Sequence, residues 1–188
     1  GSCGWQYGQL GSSSGVGAQE PSFPYLYGTN LNGVYCNGAD AYLISPTYSI
    51  PANGSTQLTF DKWICTENYW DAVGLYIKVN NGGWQYFDPG IAGWYDGSVG
   101  YSGNAMYGNN AWMSGDCGNG NLFETLVAPL DSYAGDDLKF RFRIDTDTSV
   151  QYAGGYIDNF GVLLANYGEG GAWLSPSIDA SAMEDFNL

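Results

Sequence analysis

Apolar residues in this chain recur at every second position, and no segment shows the 3.6-residue period of an amphipathic helix. Over 72–80, AVGLYIKVN, Val73, Leu75, Ile77 and Val79 fall on one side of an extended chain and Gly74, Tyr76 and Lys78 on the other. Over 56–65, TQLTFDKWIC, Leu58, Phe60 and Ile64 oppose Thr59, Asp61 and Trp63. Over 138–144, LKFRFRI, the aromatic side is Phe140, Phe142 and Ile144, and the basic side is Lys139, Arg141 and Arg143. Runs at 41–45, 122–130 and 154–164 continue the pattern, and Asn81-Gly82-Gly83 is a hairpin signal. Turn clusters separate these runs, drawing on 29 glycines in 188 residues. Many short strands with such punctuation predict an all-β sandwich of two antiparallel sheets.

Two regions lack the alternation. Residues 1–40 read as irregular structure with short edge strands. Residues 88–121 form a long excursion rich in glycine and aromatics. Loops of that length inside a compact domain carry function or hold short strands of their own. The chain is the size of one domain and can bury about two-thirds of its unfolded surface. The expected organisation is a sandwich over 1–166, with 167–188 as a closing strand or the truncated start of a following module. The tail run AWLSPSIDA echoes AYLISPTYSI at 41–50. Gly1-Ser2 reads as a cloning scar, and the whole as a domain cut from a longer secreted protein.

Charge and residue usage narrow the function. The formal net charge is −14, with five basic side chains and no histidine. Such a surface repels phosphate backbones and anionic lipid, which argues against nucleic-acid binding. No apolar stretch is long enough for insertion across a membrane as a helix. Without histidine, Ser-His and Cys-His nucleophile systems and the HExxH zinc site cannot be built. A carboxylate pair is the remaining catalytic device, and no pair carries a sequence signature, so the chain is expected to be non-catalytic. Four cysteines without paired zinc-site spacing indicate disulfides and an extracellular or cell-surface setting. Three connectivities are possible. The expected one joins Cys65 to Cys117, pinning the base of the excursion, and Cys3 to Cys36.

Four stretches, in order, carry a resemblance. YGTNLNGVYCNGADAYLISPTYSIP, ENYWDAVGLYIKVNNGGW, LDSYAGDDLKFRFRIDTD and GGYIDNFGV resemble the jelly-roll modules attached to immune inhibitor A-type metallopeptidases and related MAM-like sandwiches of surface adhesins. The likeness runs from about Trp5 to Val162 and is poor between 88 and 121. Tyr27 stands where those modules usually have Trp, and Asn159 where they have a second Asp. The resemblance implies a jelly-roll β-sandwich, an accessory role beside other domains of a parent chain, and a structural calcium ion.

Calcium takes six to eight oxygen ligands. Candidate suppliers at strand ends and turns are Asp40, Glu67, Asp71, Asp145, Asp147 and Asp158, and the resemblance favours Glu67, Asp71 and Asp158. Asp158 sits between Ile157 and Phe160 in a strand, where a carboxylate needs a partner. The expectation is that it shares the ion with Glu67 and Asp71, with Arg141 or Arg143 as the alternative partner. The competing reading of the whole set is solvated turn aspartates capping backbone amides.

Two platforms for a polysaccharide or glycan are expected. One is the excursion's aromatics, Trp94, Tyr95, Tyr101, Tyr107 and Trp112, read as exposed rings; the alternative is that they pack back over the sandwich. The other is the strand face bearing Tyr76, Arg141 and Arg143, which could instead neutralise neighbouring aspartates. Trp63 and Trp84 are expected in the core. The expected function is a carbohydrate-binding accessory module; the alternative is a structural or adhesive spacer that binds no sugar.

Overall fold

The computed structural model describes residues 3–12, 25–118 and 122–165, together with the backbone of short strands at 172–173 and 184–186. One sheet runs β1 (Gln6–Gly8), β2 (Leu26–Gly28), β12 (Gly154–Ala165), β5 (Ser55–Cys65) and β10 (Glu124–Pro129), with β13 (Ala172–Trp173) also paired to β12. The other runs β14 (Glu184–Phe186), β3 (Asp40–Ile44), β11 (Asp137–Asp145), β6 (Ala72–Val79) and β7 (Trp84–Tyr86), with β4 (Tyr48–Ser49) also paired to β11. A separate ribbon joins β8 (Gly97–Ser98) to β9 (Asn110–Ala111).

The long pairings are antiparallel. Setting aside the short additions β1, β4, β13 and β14 leaves β2-β12-β5-β10 facing β3-β11-β6-β7. Chain order crosses between the sheets at every step except the β6–β7 hairpin and its turn at Asn81-Gly82-Gly83. That is the jelly-roll order. β13 and β14 add to the two sheets; the rest of 167–188, the boundary at 166 and Gly1-Ser2 lie outside the described residues.

The alternation of β11 sets the core. Leu138, Phe140, Phe142 and Ile144 are buried against the β5 sheet, while Lys139, Arg141 and Arg143 take the outer face. Phe60 meets Phe142 edge-on at 5.1 Å and Phe160 lies 5.6 Å from Phe142. Each such ring contributes roughly 1.5–3 kcal/mol by leaving water. Leu58, Phe60 and Ile64 face the same core, as the alternation of β5 requires. Trp63 points out of the sandwich but is covered by Leu26, Leu31 and Tyr156 in a second, smaller cluster.

The excursion after β7 does not stand out as a loop. It returns at Trp112, which exchanges both backbone hydrogen bonds with Val73 at 2.8 and 3.0 Å. That pairing continues the sheet where β7 has left it and aims the Trp112 ring, like Val73, into the core. Trp94 follows it inward, edge-on to Phe60 at 5.7 Å. Trp94 is 2% exposed and Trp112 0%. The expectation of exposed stacking rings at Trp94 and Trp112 is therefore corrected: the sandwich would be hollow at this end without them. Tyr95 is half-buried between Tyr86 and Trp112 and donates its hydroxyl to the Phe87 carbonyl at 2.6 Å, so it too is packing.

The rest of the excursion lies over the outer face of β6. Val99, Met106, Ala111 and Met113 cluster there with Ala72 and Tyr76. Two bonds fix its base. Cys65 pairs with Cys117, and Lys62, 3% exposed, places its ammonium 2.9 Å from both Asp116 and Glu124. Cys3 pairs with Cys36 and ties the first strand to the loop before β3.

Candidate functional site

Three loops meet at one end of the sandwich. The β5–β6 connection brings Glu67 and Asp71, the β11–β12 connection brings Asp147, and the segment before β3 brings Tyr35. Carboxylate oxygens of Glu67, Asp71 and Asp147 lie within 4.8 Å of one another. Asp71 is closed to solvent. One of its oxygens accepts the Tyr35 hydroxyl at 2.7 Å and the other accepts the Asp147 backbone N–H at 2.6 Å. Tyr35 in turn accepts the Glu67 N–H at 3.0 Å, closing a ring of contacts around the cluster.

The electrostatics are those of a group short of positive charge. Burial pushes the Asp71 carboxyl up to about 6, with Asp147 and Glu67 adding to the rise and the Tyr35 hydrogen bond opposing it. Burial and then the Asp147 charge also raise Glu67. The Glu67 Oε2 atom is enclosed and has no hydrogen-bond partner. An orphaned buried carboxylate oxygen beside two others fits an oxygen-coordinated cation such as calcium. Asp71, wholly enclosed with both oxygens engaged, is placed to hold loops together and not to attack a substrate.

Asp158 is elsewhere. β12 pairs Gly154 with Cys65 and Asp158 with Asp61, so Asp158 lies four residues, about 13 Å, from the end where Glu67 and Asp71 sit. A bulge follows it: the register shifts between Asp158 and Gly161, and Asn159 takes a left-handed φ of 48°. Asp158 accepts the Asn159 backbone N–H at 2.7 Å, and the Asn159 side chain donates to Asp61 at 2.7 Å. Asp158 therefore does not join Glu67 and Asp71; Asp147 holds that place. Neither Arg141 nor Arg143 serves Asp158. Asp40 is bound bidentately by Arg143 at 2.8 Å, and Asp145 accepts the Ala105 N–H and lies 3.5 Å from Arg143.

The same β5–β6 loop carries exposed rings between its two carboxylates. Tyr69 is 54% exposed and Trp70 40%. Tyr101, from the excursion, is half-buried with its ring 4.9 Å from Trp70. The ledge is held by its backbone. Tyr69, at φ 77°, accepts hydrogen bonds from the Gly100 and Tyr101 N–H groups, and the Asn104 side chain donates to the Trp70 carbonyl at 3.0 Å. A Cβ at Gly100 would overlap the Tyr69 ring, so glycine lets the two segments close. Tyr107 is exposed nearby in sequence to Tyr101 but has no ring partner among the described contacts. The sequence reading named Tyr101 as a candidate and did not name Tyr69 or Trp70, which the structure places beside it. The signal was the run ENYWD, two aromatics between two acids outside any alternating strand.

The residues of the second expected platform lie on the outer face of the β11 sheet, but Tyr76 is buried there against Val99 and Met106 and is not open to a ligand. The Arg141 guanidinium lies 4.6 Å from the Tyr42 ring and 4.7 Å from each of Tyr76 and Trp84. Trp84 is thus an outer-face residue, not a core one, because it pairs with the outward-facing Lys78. Among the described residues no helix is long and apolar enough to cross a membrane.

No family model matches the chain, so the resemblance to MAM-like modules rests on its motifs alone. Over 155 residues the chain is 25% identical to Bacillopeptidase F of Bacillus subtilis (strain 168). That alignment covers 82% of this chain and 9% of the relative, so the chain is similar to one small part of a much longer protein that is named as a peptidase.

Proposed function

We propose that this domain is a non-catalytic accessory module of a longer secreted protein, and that it binds carbohydrate on the Tyr69–Trp70–Tyr101 ledge. The observation that carries the reading is the ledge itself: aromatic rings left in solvent on a backbone fixed by hydrogen bonds at Tyr69 and Trp70. Flat, fixed rings suit the C–H faces of sugars and lose little conformational freedom on binding. The likeness to a small part of a peptidase supports a place beside other domains, and the two disulfides support an oxidising, extracellular setting.

Calcium enters the same reading as a structural ion. Glu67, Asp71 and Asp147 would hold it, and it would relieve the mutual repulsion of three clustered carboxylates. Because Glu67 and Asp71 bracket Tyr69 and Trp70, the ion would also stiffen the ledge.

Affinity electrophoresis in gels containing soluble β-glucans, backed by a glycan array, tests the proposal. The domain should be retarded by at least one neutral polysaccharide. Trp70→Ala should weaken that binding by roughly 1–3 kcal/mol, by analogy with stacking on nucleic-acid bases, while the melting temperature holds. If no glycan is bound, or Trp70→Ala and Tyr69→Ala bind as the parent does, the domain is a spacer or its ledge serves another purpose.

A further inference from the structure

Four of the chain's five basic side chains, Lys78, Lys139, Arg141 and Arg143, project from one surface, the outer face of the β11 sheet. The fifth, Lys62, is buried in its own ion pairs. The strand register sets Lys139 directly across from Lys78, with Arg141 in the next row on the same face. Like charges directly opposite one another destabilise a sheet. Yet 19 acidic residues are available to neutralise them. Among the residues whose side chains are described, neither lysine, nor Arg141, is within ion-pair distance of a carboxylate; of the four, Arg143 is, through Asp40 and Asp145.

Arg141 is the centre of this surface. Three rings surround its guanidinium, and its Nε is enclosed without a hydrogen-bond partner. Stacking satisfies the faces of a guanidinium and leaves its N–H edge for an acceptor. Acids stand at both ends of the face: Asp137, which lines one cavity with Lys78 and Lys139, accepts the Ser49 hydroxyl at 2.6 Å and keeps its charge, and Asp40 holds Arg143. The remaining negative charge of the chain is screened beyond about 8 Å at physiological salt. Among the residues whose side chains are described, the middle of the face, around Arg141, is locally positive in a strongly acidic protein.

We infer that this face is a second binding surface, separate from the ledge, for a polysaccharide that bears carboxylates. A uronate carboxylate bonds the terminal N–H groups of Arg141, which unlike Nε are not enclosed, Lys78 and Lys139 receive a neighbouring carboxylate, and the flanking Tyr42 and Trp84 rings lie against the sugar. A planar carboxylate matches the guanidinium fork. An acidic peptide offers the charge without a pyranose face for the rings.

Native gels containing sodium polygalacturonate, dextran sulfate, poly-glutamate or neutral β-glucan test this, with mobility taken relative to a polymer-free gel and free calcium removed. Polygalacturonate should retard the domain, less so as salt is raised. R141Q and the double variant K78Q/K139Q should each lose at least fivefold in affinity without a lower melting temperature. Trp70→Ala should keep polygalacturonate binding, so this surface and the ledge fail or succeed independently. The inference is overturned if polygalacturonate gives no retardation, if the variants are retarded like the parent, or if dextran sulfate or poly-glutamate binds as strongly.

Discussion

The Tyr35 hydroxyl donates to the Asp71 carboxylate at 2.7 Å across 36 residues of sequence, and both groups are buried. This contact joins the segment before β3 to the loop between the two sheets. Removing the donor leaves an enclosed carboxylate one hydrogen bond short. Tyr35→Phe should cost about 1–3 kcal/mol in denaturant unfolding at neutral pH. A smaller loss is expected at pH 4, where Asp71 is protonated. Equal losses at both pH values would mean that the hydroxyl supports packing and not the carboxylate.

The acidic cluster makes stability depend on pH in a defined direction. The folded carboxyl of Asp71 is held at about 6 against an ordinary 3.8, so the folded form binds its proton more tightly than the unfolded chain does. Its stabilising contribution is complete below about pH 4 and is lost as pH rises through about 6. The full effect is at most roughly 3 kcal/mol. In chelator, the melting temperature should decline over this window. A bound cation removes the repulsion, so the gain on adding calcium should grow from pH 5 to pH 7, reaching about 2.7 kcal/mol when calcium is 100 times its dissociation constant. Asp71→Asn should flatten both curves. A calcium response that is absent, or equal at pH 5 and pH 7, rules out this site.

Lys62 tests how the excursion is anchored. Burial works against its charge, but Asp116 and Glu124 more than offset this and raise it above its ordinary value. Lys62→Met leaves Asp116 enclosed without its counter-ion and should cost about 3–5 kcal/mol. Lys62→Met combined with Asp116→Asn should recover part of the loss, since no charge is then stranded. If the double variant is as unstable as the single one, the geometry of the pair matters more than its charge.

Much of the sandwich was legible because alternation is a local property. Phe140, Phe142 and Ile144 separate from Lys139, Arg141 and Arg143 in any extended strand, and the structure keeps that division. Asp158 was misplaced because register is not local. Strand β12 carries it beside Asp61 instead of the β5–β6 loop, and the bulge at Asn159 has no single-residue signature. Lys62 shares the inward parity of Phe60 and Ile64, but the returning Asp116, together with Glu124, makes that position tolerable. The aromatics of the excursion divide for the same reason: burial at Trp112 depends on its pairing with Val73, 39 positions earlier by number, and no nearby residue announces it.

That pairing leads to a contrast between tryptophans. Trp112 lies in the core beside Trp94, Tyr95 and Phe142, and Trp94 beside Phe60 and Phe87. Trp112→Ala or Trp94→Ala leaves a ring-sized void and should destabilise the domain by about 3–5 kcal/mol. Where the variants still fold, at low temperature, glycan affinity should remain within about twofold, because neither ring reaches the surface. Trp70→Ala should do the reverse, holding stability within about 0.5 kcal/mol while weakening the sugar complex. Thermal melts and affinity gels on the three variants separate the two roles. Loss of binding in folded Trp112→Ala with an unchanged melting temperature would show that the ring is reached by ligand and that the buried position assigned to it is wrong.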